Sequence, residues 1–199
     1  PTDRVTLRFS DVASRTPEGV AAAPTTASTA VRDTLLEAVA RMDVAGATDL
    51  ATSLRSAASV VAGKPRGVLL YLGDGVPTTG AMSATAIRAA LDSVEAPPRL
   101  FALGLGEDAN VDLLRAVFGE ATSVVGDRTE ATGRVLRFLA DAARPTLRGV
   151  TVALGPTVER VFPRGTLVVP EGEPLRLVAR LQGELPQRRE VPDPEVVRQ

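Results

Sequence analysis

The run Gly67-Val-Leu-Leu-Tyr-Leu-Gly73 constrains the fold more than any other stretch of the chain, because it is apolar throughout and has a glycine at each end. A segment this short with no polar face reads as a strand buried on both sides, the condition found inside a parallel sheet covered by helices. Leu100-Phe-Ala-Leu-Gly-Leu105 has the same character. Around these runs the apolar spacing is helical. Val31, Leu35, Val39 and Met42 form one amphipathic series, and Leu50, Leu54, Ala58 and Val61 form a second, stopped by Gly63 and Pro65. Ile87, Leu91 and Val94 follow with Ser83 as N-cap, then Val111, Leu114 and Val117 with Asn110 as cap and Gly119 as the end. Thr122 to Val125 reads as a short strand. Asp127 and Glu130 suit a capping box for a helix carrying Val135, Leu136 and Leu139, which Pro145 closes. Strands alternating with helices of this length imply βαβ crossovers, so the expected class is α/β with an open, mostly parallel sheet and helices on both faces.

The two ends read differently. Val5, Leu7 and Phe9 alternate with Arg4, Thr6 and Arg8, which predicts a strand over Asp3 to Phe9 with one face buried, and residues 14–30 look loop-like. After Pro145 helical spacing stops. Leu147 to Leu154, Val158 to Phe162, Thr166 to Val169 and Leu175 to Leu181 read as short strands divided by Gly and Pro. The expected division is an α/β domain over 1–145, a small and incomplete β-rich domain over 146–185, and a loop or linker over 186–199. The chain begins with Pro1 inside an apparent strand, so its ends read as cuts.

Composition narrows the chemistry. With no Cys and no His, disulfides, zinc-thiolate sites, Ser-His-Asp and Cys-His catalysis and the usual neutral-pH general base are all removed. An enzyme built on this composition would have to work with carboxylates, Arg, hydroxyls or a bound ion. Its 23 Lys and Arg against 24 Asp and Glu leave a net charge of −1 without a basic segment, which argues against nucleic acid as a partner. No apolar stretch approaches the ~20 residues of a membrane span.

Asp74 is the sharpest single feature, because a carboxylate just beyond the carboxyl end of a central parallel strand lies where open α/β sheets bind ligands. A turn Asp capping the segment through Val76 and Pro77 is the plainer alternative. Thr48, where a loop enters the Leu50 helix, is expected on the same edge, and a hydroxyl with a carboxylate forms a hard-oxygen pair suited to part of a Mg²⁺ site. Thr48 or Asp49 could equally be that helix's N-cap. Gly104-Leu-Gly106 superficially suggests dinucleotide binding, but Ala109 stands at the third glycine position, so permitted turning is the better reading. Gly63-Lys64 lacks the upstream P-loop glycine, Ala58 being there, and Leu72 stands where a haloacid-dehalogenase site needs an Asp. Arg148, Arg160, Arg164, Arg176 and Arg180 alternate with apolar residues as the solvated face of strands does.

Gly46-Ala-Thr48-Asp-Leu50 followed by Val68-Leu-Leu-Tyr-Leu-Gly-Asp74-Gly75 resembles the second and third metal-site loops of von Willebrand factor A (VWA) domains. Arg99-Leu-Phe-Ala-Leu-Gly-Leu-Gly106, Asn110 to Leu114, and Phe138 to Pro145 running into Leu147-Arg-Gly-Val-Thr-Val152 resemble the inter-alpha-trypsin inhibitor heavy-chain branch, whose A domain runs directly into a β-domain. The resemblance covers essentially residues 1–182 and implies a Rossmann-like sheet. It further implies a protein-binding or adhesion module with a metal-ion-dependent adhesion site (MIDAS), in which Thr48 matches the second-loop Thr and Asp74 the third-loop Asp. The family's DxSxS motif is absent, and Asp3 to Phe9 corresponds to the second strand. The first strand, its motif and the first helix are then expected before Pro1. On that basis Mg²⁺ (or Mn²⁺ or Ca²⁺) is expected to be held weakly or not at all by this fragment, and the partner is another protein offering an acidic side chain to the metal. Gly73 stands where the family often has Thr. The alternative role is an accessory or regulatory subunit of an ATP-driven chelatase or AAA complex. The sequence does not name the compartment, and the resemblance alone favours an extracytoplasmic or cell-surface location.

Overall fold

The structure is a computed structural model that describes residues 3–43, 46–64, 66–154, 157–162, 167–172 and 174–182. Its chain divides into two compact units, Pro1–Ala143 and Arg144–Gln199. The centre of the first is a parallel sheet of β5 (Val68–Gly73), β6 (Arg99–Leu105) and β7 (Thr122–Val125) in that order. β5 and β6 are the two apolar runs, paired in parallel from Val68 with Arg99 to Gly73 with Gly104. The crossovers are α3 (Ala84–Asp92) and α4 (Val111–Phe118), so the expected βαβ arrangement is present.

Alternation along the strands sorts their side chains onto two cores. Leu69 and Tyr71 of β5 and Leu100 and Ala102 of β6 pack with α3, α4 and α2 (Leu50–Val61), where Leu50, Ala58, Ile87, Leu91, Leu114 and Val117 are almost wholly buried. Val68, Leu70, Phe101 and Leu103 point the other way. They pack with Phe138, Val135, Ala131 and Ala142 of α5 (Arg128–Ala143). Helices therefore cover both faces, and each is started by a side chain its sequence offers. Asp49 caps α2, Ser83 caps α3 and Asn110 caps α4, each accepting the amide three residues on. Asp127 Oδ1 accepts the Glu130 amide at 2.8 Å, but the Glu130 carboxylate pairs with Arg134 at 3.3 Å, so only half of the expected capping box forms.

Three expectations are corrected. Asp3 to Phe9 is not one strand and does not join the parallel sheet. β1 (Arg4–Val5) pairs antiparallel with β4 (Thr25–Thr26), and β2 (Phe9–Ser10) with β3 (Ser14–Arg15). The polar residues hold this segment to its own neighbours: Arg8 donates to Ser14 and Thr16, Thr6 to the Ala21 carbonyl and Arg4 to the Pro24 carbonyl. The stretch expected as loop over 14–30 thus contributes two short pairings and the start of α1 (Thr29–Ala40), capped by Ser28. Val39 on α1 is 50% exposed and Met42, which lies past the end of that helix, is 43% exposed, so neither is buried. On α5, Leu136 and Leu139 are 61% and 55% exposed, because the face turned to the sheet is Ala131, Val135, Phe138 and Ala142.

The second unit contains two antiparallel pairs, β8 (Thr146–Val150) with β10 (Leu167–Pro170) and β9 (Val158–Phe162) with β11 (Val178–Leu181). Arg160 and Arg180 lie 3.7 and 3.3 Å from the Glu159 carboxylate and are more than half exposed, as a solvated strand face requires. Arg164, the Arg148 side chain and the expected linker over 186–199 lie outside the described residues.

Replacing Leu114, which is fully buried between helices and sheet, by Ala is expected to cost about 2–5 kcal/mol in urea unfolding, whereas Leu136→Ala should stay within about 0.5 kcal/mol. Equal losses at the two positions would contradict the orientation of α5.

Candidate metal centre

The carboxyl ends of β5, β6 and β7 open on one edge, and backbone hydrogen bonds knit the loops there. Asp74 directly follows β5. Its carbonyl accepts the Asn110 amide at 2.7 Å, tying the turn after β5 to the start of α4. Thr48 directly precedes the cap of α2. Its carbonyl accepts the amides of Thr78 and Thr79 at 3.0 and 3.2 Å, and its own amide donates to the Thr78 hydroxyl at 2.7 Å. The loop opened by Asp74 therefore lies directly against Thr48, although α2 and β5 separate the two residues in sequence. A further segment joins through Asp11, whose carbonyl accepts the Asp49 amide at 2.8 Å and the hydroxyl of buried Ser53 at 3.4 Å.

The local roles of Asp74 and Asp49 are definite. Asp74 is exposed, and its Oδ1 accepts the Val76 amide at 2.9 Å, so the turn role considered for it is real. That bond engages one oxygen and orients the carboxylate. Thr48 is half-buried and is not the helix cap: Asp49 accepts the Thr52 amide at 3.0 Å and the Thr52 hydroxyl at 2.8 Å. Capping consequently does not explain the Thr48 hydroxyl. The Thr52 amide, followed by the Thr52 hydroxyl, holds the Asp49 carboxyl below its ordinary value of 3.8. The Asp11 carboxyl is lowered too, chiefly by the Ala13 amide and also by Arg15, which sits 2.8 Å away. Among the described residues no three or more His, Cys, Asp or Glu side chains group in a way that could hold a metal. A cation here would depend on hydroxyl oxygens and water beside Asp74, a hard-oxygen set compatible with Mg²⁺.

Glycines permit the close approaches. Gly75, at φ +72°, lies on Leu114, where a Cβ would come within 2.6 Å of the side chain. Gly80, at φ +69°, presents its Cα to Asp49, and a Cβ would fall 2.6 Å from that carboxylate. Gly104 is a packing glycine against Val124, Leu114 and Ala109, whereas Gly106, at φ +90°, is a turn, so the expected turning role belongs to the second of the pair. Sequence reasoning missed Thr78, Thr79 and Tyr71. Tyr71 is partly buried, stacks on Phe118 with centroids 5.7 Å apart, and its phenol oxygen accepts the Gly75 amide at 3.1 Å. Burial raises the Tyr71 phenol above its ordinary value, the nearby Asp74 charge adds to this, and the Gly75 bond opposes it.

No family model and no curated protein matches the chain in sequence. In structure it is similar to a von Willebrand factor type A protein from Catenulispora acidiphila, with a TM-score of 0.60 at 18% identity over 89% of this chain and 45% of that one. It is also similar to the conserved hypothetical protein BatB from Bacteroides thetaiotaomicron, with a TM-score of 0.50 at 14% identity over 72% of this chain and 80% of that one. The fold is thus of the von Willebrand factor A type. The chain spans slightly less than half the length of the Catenulispora protein.

Two outcomes check the loop geometry. Gly80→Ala meets both a left-handed backbone and the Asp49 carboxylate, so a loss of about 1–3 kcal/mol is expected in urea unfolding. Asp49→Ala is expected to cost about 1 kcal/mol at pH 7 through loss of the cap. Because the folded pKa of Asp49 is lowered, the charge-dependent part of that stability is complete above the ordinary value of 3.8 and disappears as pH falls through the folded value. The gap between wild type and variant should narrow in acid, and a gap that widened there would contradict the assignment.

Proposed function

We propose that the chain carries a protein-binding module of the inter-alpha-trypsin inhibitor heavy-chain-like kind, in which a divalent cation, Mg²⁺ or else Mn²⁺ or Ca²⁺, is held in part by Thr48 and Asp74. The observation that carries this reading is the set of backbone bonds from Thr48 to Thr78 and Thr79, in the loop that Asp74 opens. Local helix capping does not require those two segments to meet. With its Oδ1 fixed by the Val76 amide, Asp74 has its second oxygen for a cation, and the Thr48 hydroxyl is a further hard-oxygen donor. When bound, the cation supplies an open coordination position for an acidic side chain of the partner. The module binds and releases that partner and catalyses no reaction.

Two protein ligands leave most of the coordination shell to water, so binding by this chain is expected to be weak, with a Kd of about 10⁻⁴ M or higher for Mn²⁺. Calorimetry with MnCl₂ should show that signal for the wild type and its loss in Asp74→Ala. Heat that persists unchanged in the variant, or is absent from the wild type at millimolar metal, overturns the metal reading.

A further inference from the structure

The turn that presents Asp74 is held from behind by a side chain that the proposed metal reading does not use. Tyr71 stands three residues earlier on β5, on the face covered by α2, α3 and α4, with its ring stacked on Phe118. From there the phenol runs along the strand past Gly73 and receives the Gly75 amide at 3.1 Å. The path exists because residue 73 has no side chain: a Cβ there would lie 2.6 Å from the phenol oxygen and 2.9 Å from the ring carbon bearing it. Two other contacts bind the same turn to α4, the Asn110 amide on the Asp74 carbonyl and the Gly75 backbone on Leu114. Asp74 is thus followed by a residue fixed at its amide by Tyr71 and at its Cα by Leu114.

We infer that Tyr71 is a positioning residue for the carboxyl edge, its phenol oxygen anchoring the Asp74–Gly75 turn across the space left by Gly73. The anchor stands independently of any cation, and its effect on metal affinity rests on the reading given above. Tyr71 lies beneath the turn and so fixes Asp74 without touching what Asp74 binds. Removing its oxygen leaves the aromatic stack intact, so a purely structural role for the ring and an anchoring role for the oxygen give different results.

Hydrogen exchange of single amides, followed by NMR in wild type, Tyr71→Phe and Gly73→Ala, separates them. In Tyr71→Phe the Gly75 amide is expected to exchange about tenfold faster, the loss of one hydrogen bond, while the Leu103 amide in β6 and the urea midpoint stay near wild type. Gly73→Ala should speed Gly75 exchange as well, since its methyl displaces the phenol. Unchanged Gly75 exchange in both variants overturns the anchor, as does an equal acceleration at Gly75 and Leu103, which marks a general loss of stability. Addition of MnCl₂ tests the second half. Paramagnetic broadening of the 74–80 amides in wild type that weakens severalfold in Tyr71→Phe supports positioning of a metal ligand, and equal broadening in both proteins overturns it. No broadening in wild type refutes the metal reading and with it the effect on affinity, while the exchange result still decides the anchor.

Discussion

The parallel pairing of β5 with β6 is the interaction on which the first unit depends. Its register places Leu69, Tyr71, Leu100 and Ala102 toward one helical layer and Val68, Leu70, Phe101 and Leu103 toward the other. A slip by one residue would exchange the two sets, so burial on both faces fixes the register strongly. The same register pairs Gly73 with Gly104, which brings the chain out of both strands at one level. The Asn110 amide can then reach the Asp74 carbonyl, and α4 begins beside the turn after β5. Core packing and the placement of the candidate site are therefore one constraint seen at two heights of the sheet.

Much of this was legible where the signal is local. Continuous apolar runs gave β5 and β6 their positions, and Ser83 and Asn110 gave α3 and α4 their starts. The errors arise where the decisive partner is distant. Alternation over Val5, Leu7 and Phe9 says that the stretch can be half-buried, but not whether its backbone joins a central sheet or folds onto Ser14 and Thr25. Arg8 settles that locally, through a guanidinium whose acceptors are Ser14 and Thr16. Helix faces failed for a related reason. Leu136 and Leu139 are more hydrophobic than Ala131 and Ala142, yet the small residues face the sheet because Phe138 fills the space over Phe101. Residue-by-residue hydrophobicity cannot weigh that fit.

The candidate site was legible as a location more than as a constellation. Asp74 and Thr48 are candidates from their places at the ends of elements, and the rule that loops at the carboxyl ends of parallel strands converge is what put them on a shared edge. The contacts that bring their two loops together run from Thr48 to Thr78 and Thr79, in a loop with no regular spacing to read. The choice between Thr48 and Asp49 as cap was open in the sequence, because either side chain can accept the amide three residues on. It is decided by Gly80, whose bare Cα leaves room for the Asp49 carboxylate beside Thr52.

Gly73 stands where the von Willebrand factor A domains that the sequence resembles often have Thr. A Thr at that position, as the family often has, would put a hydroxyl next to Asp74, so a glycine suggests lost support for the carboxylate. Its neighbours alter that conclusion. The space above Gly73 is occupied by the phenol of Tyr71, and the Gly75 amide ends on its oxygen. A Cβ of any kind would collide with that phenol, so a hydroxyl on residue 73 and an anchoring phenol on residue 71 exclude each other within this backbone. The turn is held from a partly buried aromatic side chain, whose stack on Phe118 links it to the packing of α4.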